Sequence, residues 1–168
     1  MKKDSQTVTP AGERIAPLIH GMVIRPLTTL EDARGEIIEF YRPEWGVHPD
    51  PLVYGTGVRP SAIKGWIMHR QQEDRIAIFN GIMHWAFFDY REDSPTCKML
   101  TQYTFSEKTR TLFTIPRGVF HAVKNVGTRD AYFVNMPSRA YQHADPDKYR
   151  LPICNDIIPF DFSGIHVG

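Results

Sequence analysis

The chain has 168 residues, of which 42% are hydrophobic and 23% are charged. This length and composition are typical of one globular domain and argue against intrinsic disorder. The 20 basic and 19 acidic side chains leave a net charge of +1, so we expect no nucleic-acid partner. No apolar run approaches the roughly 18 residues of a membrane-spanning helix, so we expect no membrane partner either.

The predicted elements are nearly all β-strands. Short runs of β-branched and aromatic residues recur about every 8–12 residues, separated by Gly, Pro, Asn and Asp. They predict strands over residues 22–26, 36–41, 52–56, 62–69, 75–79, 82–90, 99–105, 111–115, 121–125 and 131–136. No segment keeps a helical apolar stripe for three turns, so the fold class is all-β, with a jelly roll or barrel favoured.

Three segments follow from this pattern. We expect an irregular N-terminal arm over residues 1–21, a jelly-roll domain over 22–162 and a C-terminal tail over 163–168. The stretch from Tyr141 onward is rich in Pro, Asp and Tyr and is expected to wrap around the domain. Asn80-Gly81 predicts a hairpin turn, because both residues tolerate positive φ.

The apolar run over residues 82–88 has no solvated face. One face would fill the barrel, and the other needs a second layer or a partner subunit, so a homodimer is expected. The two cysteines, Cys97 and Cys154, form neither a disulfide framework nor a metal-binding spacing. The N-terminus lacks the apolar stretch of a signal peptide, and we predict a cytoplasmic protein.

The segment IPRGVFHAVKN over residues 115–125 is the most specific motif. It fits the pattern PxGxxHxxxN and resembles the second signature of the cupin superfamily, in which a tight turn directs a histidine, here His121, into the barrel mouth. The first signature of that superfamily contains HxH followed by Glu; here Ile67 replaces the first histidine, and His69 and Glu73 remain.

Two interpretations of these residues stay open. His69, Glu73 and His121 could hold a divalent metal with open coordination positions. Alternatively, His69 and His121 are metal-free pocket residues, which the missing ligand at Ile67 favours. We therefore expect no cofactor, with a metal as the alternative.

Four stretches, over residues 32–40, 89–96, 116–121 and 154–162, have an order and a spacing that match those of a known enzyme family. In these the chain resembles the dTDP-4-dehydrorhamnose 3,5-epimerases, which are cupin-fold enzymes of nucleotide-sugar metabolism. The resemblance implies a metal-free homodimeric jelly roll that binds a nucleoside-diphosphate 4-keto sugar. It also implies abstraction of the proton next to the ketone, which needs a base, an acid and an oxyanion stabiliser.

The resemblance also assigns roles to individual residues. Arg34 and Glu39 match residues expected near the nucleotide, and Asp156 matches the carboxylate that orients the base. The base and the acid themselves are replaced, by Ile67 and Asn135, while Tyr141 survives. Lys64 stands where the family has an arginine. The family also has a lysine that stabilises the enolate, and the nearest basic residue to that position here is Arg75.

Strand alternation offers a substitute base. Ile67 and His69 share one face of the predicted strand, so His69 should face the pocket if Ile67 does. We expect His69 as base and His121 as its partner, with a pocket formed by Lys64, Arg75, His84, Tyr103, Asn135 and Tyr141. The predicted function is a divergent epimerase or isomerase of a nucleotide keto sugar; an inactive sugar-nucleotide binder and a metal-dependent cupin are the alternatives.

Overall fold

A computed structural model describes residues 18–45 and 52–166. The strands are β1 (Val23–Pro26), β2 (Thr28–Asp32), β3 (Gly35–Glu39), β4 (Tyr54–Val58), β5 (Ile63–Met68), β6 (Asp74–Asn80), β7 (Ile82–Asp89), β8 (Leu100–Ser106), β9 (Thr111–Ile115), β10 (Val119–Asn125), β11 (Ala131–Asn135) and β12 (Tyr149–Arg150). Two 3-10 turns span Pro43–Trp45 and Glu107–Thr109. The described part of the chain contains no α-helix, and hence no helix long and apolar enough to cross a membrane.

Each predicted strand overlaps an observed one, whereas β2 and β12 were not predicted. All five residues of β2 are exposed. Neither face of this strand is buried, so its sequence has no alternation of apolar and polar residues by which it could be predicted. β12 has only two residues and gives no periodic signal. Residues 1–17 of the predicted arm lie outside the described residues, but Ile19 is buried in the core.

Two antiparallel sheets of five strands face each other. The first sheet has the order β1-β9-β6-β11-β4, and the second has the order β12-β5-β10-β7-β8. Their inner faces share one core, in which Trp85 of the second sheet packs edge-on against Phe113 of the first at 5.1 Å between ring centroids. The strands β2 and β3 form a separate hairpin.

The Asn80-Gly81 turn is present, but the predicted hairpin is wrong. β6 pairs with β9 and β11 in the first sheet, while β7 pairs with β8 and β10 in the second. The turn is therefore a corner between sheets. Gly81 has φ +85°, and a Cβ there would lie 2.5 Å from the Cβ of Ala131, so glycine is required.

The C-terminal segment covers the outer face of the second sheet, as expected for a segment that wraps around the domain. Phe162 packs against Trp66 at 5.9 Å between ring centroids, within a second apolar cluster. The buried ammonium of Lys124 donates hydrogen bonds to the carbonyl oxygens of Phe162 and Ile165, at 2.8 and 2.9 Å. This cover explains why both faces of β7 are apolar without a partner chain.

Candidate active site

A cavity of about 440 Å³ opens between the two sheets. Its lining comes from both of them: Leu52, Tyr54, Thr56, Ile63, Lys64, Gly65, Ile67, His69, Gln72, Asp74, Ile76, Trp85, His121, Val123, Phe133, Asn135, Pro137, Tyr141, Lys148 and Arg150. A concave site of this size with a few convergent polar groups is typical of small-molecule binding.

Two imidazoles share one buried carboxylate in this cavity. The Nε2 atoms of His69 and His121 lie 3.3 and 3.5 Å from Oδ2 of Asp74. The two rings have centroids 6.0 Å apart. Asp74 begins β6, and its place on the inward face beside Ile76 follows from strand alternation.

Amide side chains satisfy the other oxygen of Asp74. Oδ1 accepts hydrogen bonds from Nε2 of Gln72 at 2.9 Å and Nδ2 of Asn135 at 3.2 Å. Nδ2 of Asn135 also donates to the hydroxyl of Tyr54 at 2.8 Å. Asn135 therefore holds the carboxylate in place; its own Oδ1 is buried and has no hydrogen-bond partner among the described residues.

This arrangement separates the pKa values of the three groups. Burial alone would raise the pKa of Asp74, but the hydrogen bond to His69 and the charges of both imidazoles lower it to about 2. Burial alone would lower the pKa of His69, but its hydrogen bond and charge interaction with Asp74 raise it above the ordinary value. Burial lowers the pKa of His121 to about 4, against the attraction of Asp74. His121 is therefore neutral at neutral pH, whereas Asp74 favours the protonated form of His69.

Asp147 fixes the orientation of the His69 ring. Its carboxylate accepts hydrogen bonds from the backbone N–H groups of Arg70, Gln71 and Gln72 at 2.9, 2.7 and 3.1 Å. The same residue presents its backbone oxygen to Nδ1 of His69. Both ring nitrogens of His69 thus face oxygen acceptors, which suits an imidazolium with two N–H donors.

The cavity gathers some of the residues predicted from the sequence. Besides the two histidines, Lys64, Asn135 and Tyr141 line it, and Ile67 lies opposite His121 in the β5–β10 ladder. The expectation that Ile67 and His69 face the same pocket is confirmed by this lining.

Arg75 and Glu73 are not part of the cavity lining, contrary to expectation. Arg75 alternates with Asp74 and Ile76 along β6, so its side chain leaves the opposite face of the strand. It forms an ion pair with Glu73 at 3.5 Å. The carboxylate that accompanies the two histidines is therefore Asp74, not Glu73.

His84 and Tyr103 also lie outside the cavity. His84 is on the outer face of the second sheet, stacked on Phe160 at 6.2 Å, and its ring nitrogens contact Thr104 and Gln102 at 2.9 and 3.0 Å. The opposite alternate set of β7, which includes Trp85, faces inward. Tyr103 is buried in the inner core, so it fills the barrel rather than lining the cavity.

The three residues assigned by resemblance to nucleotide binding and to orienting the base are also elsewhere. Arg34 is at the exposed tip of the β2–β3 hairpin, where it pairs with Asp32 at 2.6 Å. Glu39, the last residue of β3, pairs with Arg42 in the segment that follows the hairpin. Asp156 is exposed in a shallow depression of the C-terminal segment, and this chain does not bring it to the histidines.

The sequence analysis missed several polar residues of the site and its support, among them Gln72, Asp74, Asp147, Lys148 and Arg150. Asp74 had a usable signal, because it alternates with the buried Ile76 and Ile78. Asp147, Lys148 and Arg150 had none. They reach the site through the pairing of β12 with β5, a contact between residues far apart in the chain.

The comparisons with known proteins agree with this architecture. No protein-family model matches the chain. The probable low-salt glycan biosynthesis epimerase Agl13 of Haloferax volcanii is 31% identical over 139 residues, covering 81% of this chain and 89% of that protein. The chain belongs to this sugar epimerase family. The spore coat polysaccharide biosynthesis protein SpsL of Bacillus subtilis is 26% identical over 148 residues, covering 87% and 97% of the two chains.

Solved structures of sugar epimerases and isomerases share the fold. A dTDP sugar isomerase from Desulfovibrio desulfuricans G20 has a TM-score of 0.82 at 23% identity, covering 88% of this chain and 94% of that one. A dTDP-6-deoxy-D-glucose-3,5-epimerase from Legionella pneumophila, in complex with dTDP-4-keto-L-rhamnose, has a TM-score of 0.76 at 18% identity, with coverage of 92% and 85%. These structures confirm the predicted jelly roll. The sequence identities of 23% and 18% show that this chain has diverged from them.

Proposed function

We propose that the chain is an isomerase that moves a proton on a carbon next to the ketone of a nucleoside-diphosphate keto sugar. The observation that carries this proposal is the pair of buried imidazoles that share Asp74 inside the cavity. Epimerases and isomerases among the relatives and structural neighbours support the substrate class, since several neighbours are named for dTDP sugars.

The electrostatics of the site suggest a division of labour between the histidines. A ketone acidifies the adjacent C–H group, so an imidazole can accept its proton while the electron pair moves onto the carbonyl oxygen. His121, which burial keeps neutral, is the proton acceptor in this proposal. His69, whose protonated form Asp74 favours, stabilises the enolate and donates a proton in this proposal. These roles reverse the expectation that His69 is the base.

The position of the pair fits a changed site on a retained scaffold. Ile67 lines the cavity but cannot take a proton, and His69 lies two residues further along the same chain. The amide of Asn135 binds Asp74 and Tyr54. Proton transfer would therefore use His121 of β10 and His69, just beyond the end of β5, instead of the position that Ile67 occupies.

The test is proton NMR of the protein with dTDP-4-keto-6-deoxyglucose in D₂O. We expect deuterium at C3 or C5, and its position identifies the carbon that reacts. Binding of the sugar nucleotide without any exchange would contradict isomerase activity on that substrate and would support the inactive binder.

A metal-dependent reaction is the second candidate, because one cluster offers a suitable ligand set. The ligand atoms of His69, Asp74 and His121 all lie within 4.8 Å of one another. Two imidazoles and a carboxylate with open positions are typical of non-haem iron sites. Metal analysis after purification without chelator tests this. Equimolar metal that Asp74→Ala loses and Glu73→Ala keeps would favour the metal over the metal-free pair.

We further propose that the chain forms a homodimer through the β2–β3 hairpin. Leu30 and Ile37 lie opposite each other on this hairpin, with 58% and 66% of their surfaces exposed. A two-stranded hairpin is marginal alone, and paired exposed apolar residues suit a second copy of the chain. Sedimentation should give a dimer that Leu30→Lys converts to a monomer; a wild-type monomer at micromolar concentration would contradict the proposal.

We place the protein in the cytoplasm, which is supported by the two cysteines. Cys97 and Cys154 are both exposed and form no disulfide. Exposed free thiols suit a reducing compartment. Cell fractionation checks this assignment, and recovery outside the cytosol would contradict it.

A further inference from the structure

The phenol of Tyr54 lines the cavity on the wall opposite to the two histidines. Tyr54 begins β4, at one edge of the first sheet. His121 is on β10 and His69 directly follows β5, and both of these strands belong to the second sheet. The cavity opens between the two sheets, so a ligand inside it has the imidazoles on one side and the phenol on the other.

Strand pairing fixes the position of this phenol. Tyr54 lies directly opposite Asn135 in the β4–β11 ladder, and residues opposite each other in an antiparallel pair have side chains on the same face. Thr56 and Phe133, the next opposite pair on that face, line the cavity as well. The regular pairing of β4 with β11 therefore holds the ring of Tyr54 on the inner face of the first sheet.

The hydroxyl of Tyr54 accepts one hydrogen bond and keeps its own proton available. Nδ2 of Asn135 donates to this oxygen at 2.8 Å and to Oδ1 of Asp74 at 3.2 Å. An ionised carboxylate can only accept, so the amide nitrogen, and not the amide oxygen, faces Asp74 and the phenol. Among the described residues, none accepts the hydroxyl proton of Tyr54 in a hydrogen bond.

The surroundings of the phenol keep it protonated. Burial and the negative charge of Asp74 raise the pKa of Tyr54 above its ordinary value, against the hydrogen bond from Asn135. Tyr54 is thus a neutral proton donor near neutral pH. The hydrogen bond from Asn135 would strengthen once the oxygen becomes charged, and it would stabilise the phenolate that remains after the proton leaves.

Inversion of configuration needs a proton donor on the side of the substrate opposite to the base. Loss of a proton next to a ketone gives a planar enolate. A proton returned by the base itself restores the starting configuration, whereas a proton delivered to the other face gives the epimer. His69 shares Asp74 with His121 and lies on the same wall, so a donor for the other face has to come from the first sheet.

We infer that Tyr54 is the acid that protonates the substrate carbon on the face opposite to His121, so that the reaction is an epimerisation. The C–H bond breaks first; its proton goes to His121 and its electron pair moves onto the carbonyl oxygen, which His69 stabilises. The O–H bond of Tyr54 then breaks, its proton forms the new C–H bond, the carbonyl re-forms and a phenolate remains.

Water completes the cycle. It returns a proton to Tyr54, whose surface is 40% exposed, and takes one from His121. This inference rests on the proposed function, to which it adds a catalytic residue and the stereochemical outcome of the reaction.

The variant Tyr54→Phe separates inversion from proton removal. It keeps the ring and the hydrogen bond between Asn135 and Asp74 but lacks the hydroxyl. With dTDP-4-keto-6-deoxyglucose in D₂O, we expect the variant to form the epimer at least about 100-fold more slowly than the wild type. His121 should still exchange the proton on its own face, so the substrate gains deuterium without a change of configuration. Proton NMR measures both rates, because the two epimers give separate signals.

Tyr132→Phe is the matched control, since it makes the same substitution on the other face of the same strand pair. Tyr132 lies opposite Gly57, where a Cβ would approach its ring to 2.9 Å, and it does not line the cavity. We expect this variant to invert and exchange at the rates of the wild type.

The outcomes separate the role of Tyr54 from the proposed isomerase activity. Inversion at the wild-type rate in Tyr54→Phe would overturn the role of Tyr54 and leave the isomerase activity intact. A wild-type protein that exchanges the proton without inversion would do the same. Equal losses of exchange and inversion in the variant would indicate a structural role instead. A wild-type protein that binds the sugar nucleotide and exchanges no proton would contradict the proposed function, and this inference with it.

Discussion

His69→Gln is expected to slow the exchange of the carbon-bound proton by at least about 100-fold, the usual scale of a lost acid or base. Glutamine can still donate a hydrogen bond towards Asp74, but it cannot carry a proton to or from the substrate. Affinity for dTDP should change little, because the other side chains that line the cavity are unchanged. Deuterium incorporation by NMR, at saturating substrate, measures the effect.

His84→Gln provides the matched control, since it makes the same substitution on the outer face of the second sheet. His84 contacts Thr104, Gln102 and Phe160 and does not line the cavity. We expect the exchange rate of this variant to stay within about twofold of the wild type, because the proton-transfer pair is intact. Equal losses in both variants would indicate a general structural defect and contradict the assigned role of His69.

Stability is expected to decrease as the pH falls from about 6.5 to 4, because His121 resists protonation in the folded state. Its pKa is lowered from 6.5 to about 4, so the unfolded chain binds more protons across this interval and acid favours unfolding. The shift corresponds to stability on the order of 3 kcal/mol, present above pH 6.5 and lost by pH 4. His84, whose pKa burial also lowers, acts in the same direction.

The pKa shifts of Asp74 and His69 change the stability below and above this pH interval, respectively. The pKa of Asp74 is lowered from 3.8 to about 2, so its contribution is present above pH 3.8 and is lost as the pH falls through 2. The pKa of His69 is raised, so its contribution is present below 6.5 and is lost as the pH rises through the folded value. Stability should therefore be greatest near neutral pH.

Urea denaturation at a series of pH values measures this profile. The variant His121→Gln should flatten the dependence between pH 4 and 6.5, because it removes the titrating imidazole while keeping a polar side chain. An unchanged slope in the variant would show that other groups cause the acid sensitivity.

Local sequence patterns predicted the strands well where one face of a strand is apolar or a turn is specific. The strand over residues 111–115 has the predicted bounds, and the Pro-Gly turn before β10 leads His121 into the cavity. Alternation also placed His69 correctly relative to Ile67. In β7 both alternate sets are apolar, so the pattern could not decide whether His84 or Trp85 faces inward.

The remaining parts of the site depend on contacts between distant segments. Asn80-Gly81 specifies a reversal of the chain, but pairing between sheets decides that it becomes a corner. The counterpart of the family lysine was sought next to Asp74, at Arg75, whereas two cations that line the cavity, Lys148 and Arg150, lie just before β12 and within it. Such pairing is set by tertiary packing, which no local pattern records.

The C-terminal segment has a consequence for synthesis of the protein on the ribosome. Asp147, β12 and the aromatic cover of Phe160 and Phe162 leave the ribosome after β5, β7 and β10, against which this segment packs. Until they dock, the outer face of the second sheet exposes Trp66 and Phe88, and His69 lacks the backbone oxygen that holds its ring. A chain that lacks this docked segment therefore exposes an apolar surface and has an incomplete site, and the same docking event completes both.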